Sequence, residues 1–339
     1  MNDIRRTILW VIFGFSMVML WDNWQVYNGH KATFFPGPPK AAATAGSPAP
    51  ASSVPATSVA PSLVAPNAQV PGGAVVNVPA QAAPRERVVV ATDVLKLTFD
   101  TEGGSLVKAE FVKHVDMADK SRSFVLLDES KDRTYMAQTG LIAGANGGVF
   151  PTHKTVMNLA SAERTLRDDG KELVVRFESP ELGGVKLVKT FTLTRGAYAV
   201  AVKHEVINAG TTVVSPQLYL QLVRDGNKPD GESSFYSTFT GPAVYTDAKK
   251  YQKIEFTDIE KNKADFEKTT QQGYVAMVQH YFASAWVLPA NTARENFARK
   301  VDNNLYAVGM ITHFSEVAPG QTKTLDATLF VGPQEEKML

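Results

Sequence analysis

Hydrophobic and polar positions fall into three regimes along the chain. Residues 8–20 (Ile8-Leu9-Trp10-Val11-Ile12-Phe13-Gly14-Phe15-Ser16-Met17-Val18-Met19-Leu20) form an apolar run broken only by Ser16. Residues 36–84 carry Ala, Pro, Ser, Val and Thr with almost no charge and no periodicity. From Arg87 onward, short β-branched and aromatic segments are separated by turn residues, the pattern of strands. Strands are predicted over residues 88–92, 94–99, 173–177, 185–193, 198–207, 213–222, 274–288, 305–311 and 324–331. Glu102-Gly103-Gly104, Asp168-Asp169-Gly170, Gly183-Gly184, Arg195-Gly196 and Asn208-Ala209-Gly210 supply turns between them. Helical character is confined to residues 247–253 and a last turn from Gln334. The expectation is an all-β domain, a large antiparallel β-sandwich of two packed sheets with short helices.

The first regime is short against the ~20 residues a bilayer normally requires. A basic start and an apolar core also describe a cleaved signal peptide, but small residues in an A-x-A arrangement should then follow. Trp21-Asp22-Asn23-Trp24 follows instead, and Trp21, Trp24 and Tyr27 suit the aromatic belt of an uncleaved transmembrane α-helix. Arg5 and Arg6 precede the run, so the positive-inside rule keeps the N-terminus cytoplasmic and sends the rest across, into the periplasm of a bacterium. The same pair echoes a twin-arginine export signal, though adjacent arginines more often act as topology determinants.

The second regime reads as a tether. Its prolines remove backbone donors and its small side chains bury too little area to offset chain entropy. At about 3.1 Å per residue it spans on the order of 150 Å when fully extended. The expected organisation is a cytoplasmic N-terminus and anchor over residues 1–28, a disordered Pro/Ala-rich linker over 29–85 and a folded domain over 86–333. The chain has no cysteine, so stability rests on core burial. A net charge of +1 with interspersed signs gives no field for nucleic acid, which is not expected as a partner.

No motif carries catalytic chemistry. His30, His114, His153, His204, His280 and His313 show no metal-ligand spacing. His204 and Glu205 are adjacent on a strand and point to opposite faces, so they cannot act as one acid–base pair. Residues 225–232 suggest a calcium loop, yet Pro229 interrupts it and Tyr236 stands where the bidentate Glu belongs. Residues 140–148 are glycine-rich without the lysine of a phosphate cradle, and Ser233 and Ser234 lack a nucleophile-elbow context. No catalytic residue, metal or cofactor is expected. Residues 241–251 are the candidate partner contact, because Tyr245, Lys249, Lys250 and Tyr251 mix aromatic and basic groups on a surface turn and short helix.

Several segments together carry a resemblance. Ala91-Thr92-Asp93-Val94-Leu95-Lys96-Leu97, Glu102-Gly103-Gly104, Lys189-Thr190-Phe191-Thr192-Leu193-Thr194-Arg195-Gly196-Ala197-Tyr198-Ala199-Val200, Asn208-Ala209-Gly210, the apolar run from Gly273 to Val287 and Leu329-Phe330-Val331-Gly332-Pro333 resemble, in order, the YidC membrane protein insertases of Gram-negative bacteria, members of the YidC/Oxa/Alb family. The resemblance implies a periplasmic β-supersandwich similar to galactose mutarotase, behind a first transmembrane helix in the inner membrane. It also implies a role in inserting and folding nascent inner-membrane proteins, alone or with the Sec translocon and its SecD/SecF proteins, at the lipid bilayer. In that family the chain continues into an amphipathic helix and five transmembrane helices, so residues 334–339 would begin the helix that leads there. Two other readings stay open: a mutarotase-like carbohydrate-active enzyme, requiring a histidine and a carboxylate in one cleft, and a single-pass binding scaffold.

Overall fold

The computed structural model describes Val18, Trp21 and residues 84–116, 119–144, 147–229 and 238–334. The chain divides into two units, Met1–Leu63 and Val64–Leu339. In the first, Val18 and Trp21 are helical and Trp21 is exposed; the remainder of the expected anchor, including Arg5, Arg6 and Trp24, lies outside the described residues. Among the described residues no helix is long and apolar enough to cross a membrane.

The second unit is built from two nine-stranded sheets. Sheet 1 runs, edge to edge, β1 (Arg87–Ala91), β2 (Leu95–Asp100), β3 (Ser105–Val115), β4 (Ser123–Glu129), β5 (Thr134–Ile142), β10 (Gln217–Asp225), β17 (Leu305–His313), β16 (Arg294–Asp302) and β13 (Thr269–Thr270). Sheet 2 runs β12 (Lys250–Lys253), β11 (Thr240–Thr246), β14 (Tyr274–Gln279), β15 (Phe282–Val287), β18 (Thr322–Pro333), β9 (Ala199–Asn208), β8 (Val185–Thr194), β7 (Glu172–Glu178) and β6 (Asn158–Leu159). The strand ladders are antiparallel, as the short turns require.

Alternation explains which sides meet. On β9, Val200, Val202, His204, Val206 and Asn208 are buried while Ala199, Ala201 and Lys203 are exposed. The inward rows of both sheets form one hydrophobic cluster, with Phe99, Phe177 and Phe191 at its centre; the Phe99–Phe191 centroids are 4.7 Å apart. Polar groups pin the sheets together across this core. Lys189 on β8 is fully buried and its Nζ donates to the carbonyls of Gly103 (2.6 Å) and Thr139 (2.7 Å). The Tyr135 hydroxyl on β5 donates to the Met277 carbonyl (3.0 Å), and Trp286 Nε1 on β15 donates to the Gln221 carbonyl on β10 (3.1 Å). Burial without an anion lowers the Lys189 ammonium to about 7.

Two local expectations are corrected. Residues 247–253 are not helical: Asp247, Ala248 and Lys249 form a turn and Lys250–Lys253 is strand β12. Lys250, the first residue of β12, takes a left-handed φ of 57° as the chain leaves this turn. A short helix, Phe256–Glu260, follows β12 and buries Ile259. The apolar run 274–288 is not one strand but the hairpin β14–β15, reversed at His280 and Tyr281, with His280 at φ 46°. Its apolarity reflects two adjacent buried strands rather than one long one. The expected last turn from Gln334 falls on residues 335–339, outside the described residues.

Candidate functional site

Tyr245 and Tyr251 lie on β11 and β12 at the edge of sheet 2. Tyr245 lies opposite Tyr251 on one side and Tyr274 on the other, and its ring stacks on Tyr274 at 5.2 Å with planes 8° apart. Beside them Phe239, Ala276, Val278 and Ala283 line a groove of about 380 Å³. Lys249 and Lys250 sit in the hairpin turn; Lys249 makes a surface ion pair with Asp265 at 3.7 Å, and Lys250 pairs with Thr246, a row away from Tyr251. The structure therefore gathers the two tyrosines on one face and leaves the lysines at its end.

A second surface was not legible as a site. Every residue of β10 is buried, so the side of sheet 1 that faces away from the sandwich core is itself covered there. Tyr219, Gln221 and Val223 project onto that side, against Gly140, Gln138 and Met136 of β5 and Ile311, Gly309 and Ala307 of β17. A side chain at Gly140 would collide with the Tyr219 hydroxyl and the His153 backbone, and one at Gly309 with the Phe297 ring. The two glycines thus let His153 settle on Tyr219 and Phe297 lie across β17.

The buried polar groups here are specific. The Tyr219 hydroxyl accepts the His153 backbone N–H at 2.9 Å and meets His153 Nδ1. Burial, followed by the charges of Lys154, Lys189 and Arg299, drives the His153 imidazole down to about 3, and burial holds the Tyr219 phenol well above its ordinary 10.0. With both groups neutral, the phenol proton is assigned to Nδ1. Gln221 Nε2 donates to Gln138 Oε1 at 2.8 Å, whereas Gln221 Oε1 and Ser105 Oγ are buried without a hydrogen-bond partner. Arg299 lies over the Phe297 ring, 4.9 Å from its centroid, with Nε and Nη2 likewise unpartnered.

This side opens into a cleft of about 210 Å³ whose floor includes Ser105, His153 and Gln221. At its rim Arg85 bonds Asp100 (2.6 Å), Glu102 (3.1 Å) and Glu129 (3.1 Å), and Arg87 also reaches Glu129. Imidazole and carboxylates share the cleft, but His153 is tied to Tyr219 and Asp100, Glu102 and Glu129 to arginines. An imidazole held near 3 is a weak base at neutral pH, so the arrangement suits hydrogen bonding more than proton abstraction.

The other sequence candidates resolve as structural groups. His204 is buried with Nε2 3.0 Å from Thr139 Oγ1, while Glu205 faces outward and accepts from Arg176 at 3.0 Å. His280 turns a hairpin and its Nδ1 meets Thr238 Oγ1 at 2.9 Å. Asp225 caps the Thr134 and Asn227 amides, so the start of the calcium-like segment is a turn; Ser233, Ser234 and Tyr236 lie outside the described residues. Among the described residues no group of three or more His, Asp or Glu could hold a metal ion. A further open surface of about 530 Å³ on sheet 2 is lined by charges such as Arg176, already paired with Glu178 and Glu205 at 3.0 Å each.

Residues 87–339 match the family model for the YidC periplasmic domain. Over 99% of its length the chain is 51% identical to the membrane protein insertase YidC of Bordetella avium and 46% identical to that of Janthinobacterium sp. (strain Marseille). It spans 60% and 58% of those two proteins. Among solved structures it resembles a galactose mutarotase related enzyme from Lactobacillus acidophilus with a TM-score of 0.46 and 7% identity, over 73% of this chain and 97% of that one. A likeness at that level transfers no chemistry. The ordered segments that suggested the family also meet in space: Lys189 donates to the Gly103 carbonyl, the Gly196 amide to Asp93 Oδ1, and the Val331 amide to the Tyr198 carbonyl. The chain belongs to the YidC family of membrane protein insertases.

Proposed function

We propose that this chain is the anchor, tether and periplasmic domain of an inner-membrane protein insertase, and that its folded domain works by binding rather than by catalysis. The observation that carries the reading is the family match over residues 87–339. The proposed organisation places a cytoplasmic N-terminus and membrane helix at residues 1–28, a linker at 29–85 and the sandwich at 86–333, with 334–339 leading toward the membrane-embedded core. Arg5 and Arg6 would fix the orientation, and Trp21 and Trp24 would sit at the membrane interface. Nascent inner-membrane proteins are the proposed clients and the Sec translocon, including SecD/SecF, the proposed partner. The cleft chemistry supports a binding role, since its one imidazole is neutral and engaged by Tyr219.

The test is complementation of insertase-depleted bacteria with the gene read through beyond the codon for Leu339. A frame that continues into an amphipathic helix and five apolar spans, and that restores growth, supports the reading. A stop codon together with failure to restore growth would leave a tethered sandwich that only binds. Charge reversal by Lys249→Glu with Lys250→Glu is expected to weaken translocon co-purification while the domain stays folded; unchanged co-purification would remove that contact.

A further inference from the structure

We propose that the cleft on sheet 1 binds a neutral, polyhydroxylated molecule of pyranose size. Its floor is unusual in being both buried and polar: Asp100, Ser105, His153 and Gln221 are each more than nine-tenths buried, and all four line the cleft. Buried polar atoms are nearly always hydrogen-bonded, yet Ser105 Oγ and Gln221 Oε1 have no partner. One is a hydroxyl that can donate or accept and the other a carbonyl that accepts, the mixed pair that a vicinal diol satisfies.

The remaining walls narrow the class. Val107, Met136, Val223, Val301 and Leu305 form an apolar flank on which the C–H face of a ring can rest. Charge argues against an ionic occupant. Among the residues that line the cleft, Arg85 and Lys154 stand against Asp100, Glu102, Glu129 and Asp302, a carboxylate excess that disfavours an anion, and Asp100, Glu102 and Glu129 are already paired with Arg85 and Arg87. The volume, about 210 Å³, is below that of clefts for drug-sized ligands and holds one small ring with its hydroxyls. No bond is made or broken in this role.

The experiment is saturation-transfer NMR on the full chain, held in a detergent without a sugar headgroup. The probes are methyl glucoside, methyl galactoside and glycerol, with acetate and inorganic phosphate as anionic controls. Saturation transfer to at least one pyranoside is expected, with affinity reduced about tenfold or more in Ser105→Ala and in Gln221→Leu. Both variants should keep the wild-type unfolding temperature within a few degrees; if either does not, Asp302→Asn on the exposed rim replaces it, with a few-fold loss expected. No transfer to any neutral polyol, or transfer unchanged by these variants, overturns the proposal. Preference for acetate or phosphate also overturns it. Growth complementation does not depend on this outcome, so the insertase reading and the cleft reading fail separately.

Discussion

Strands β9 and β10 follow one another in the chain and are nearly equal in length, yet they bury their residues in opposite styles. On β9, inward Val200, Val202, His204 and Val206 alternate with outward Ala199, Ala201, Lys203 and Glu205. On β10 all nine residues are buried, although Gln217-Leu218-Tyr219-Leu220-Gln221-Leu222 alternates in polarity just as well. The difference lies in what covers the second side. The outward side of β9 meets solvent and surface charges, whereas that of β10 is roofed by the His153 segment and by Phe297 lying over Gly309. Polar alternation on a strand therefore identifies two chemical environments, and only the tertiary fold decides whether the polar one is water or a built cleft.

The sharpest way to break the comparison acts on the shared core. Leu220→Ala on β10 opens a cavity beneath a strand packed on both sides and is expected to cost about 2–5 kcal/mol in urea unfolding. Next comes the covered side itself. Tyr219→Phe leaves the buried His153 amide without its acceptor, for an expected loss of about 1–3 kcal/mol; a change under half of that would mean the roof is open to water.

Titration sharpens the same contrast. His153 and His204 stay neutral in the folded protein down to about 3, against an ordinary 6.5, because burial disfavours the imidazolium. Between those values the unfolded chain binds protons that the folded chain does not, so stability falls as pH falls from 6.5 toward 3, by about 1.4 kcal/mol per pH unit for each group. Lys189, lowered to about 7 from 10.5, gives a rise in stability as pH increases through that interval. Lys189→Met is expected to abolish the alkaline rise in denaturation midpoints and to soften, without removing, the acid limb, because the Lys189 charge adds to burial in lowering both imidazoles. The smallest effect belongs to the solvated side of β9, where Lys203→Ala should change stability by no more than about 0.5 kcal/mol.

Much of the fold was legible because half-buried strands betray themselves by alternation and by turn residues. The predicted 185–193, 198–207 and 324–331 became β8, β9 and β18 with ends shifted by a few residues. Strand β5 escaped notice because Gln138, Thr139 and Gly140 interrupt its apolarity, yet each has a buried role: Gln138 bonds Gln221, the Thr139 carbonyl accepts Lys189, and Gly140 makes room for Tyr219. Strand β16, with Arg294, Glu295, Arg299 and Lys300, reads as polar loop. Its Arg294 is nevertheless buried, with its donors satisfied by the carbonyls of Gln271, Gly273, Leu288, Pro289 and Thr292. The tyrosine pair at 245 and 251 was visible as composition, but its face was not, since a helix and a hairpin place the same residues differently. The cleft was invisible for a deeper reason: its floor joins residues from β2, β3, β10 and the segment before β6, and no local pattern records that meeting.

The central contrast is tested most directly by single-cysteine labelling, for which a chain without native cysteine is well suited. Cysteine would be placed in turn at Gln221 and Val223 on β10 and at Ala201 and Lys203 on β9, and maleimide reaction followed in the folded protein. Fast labelling at 201 and 203 with strong protection at 221 and 223 is the expected result. Equal rates at all four positions would contradict it and return the outer side of sheet 1 to ordinary solvated surface.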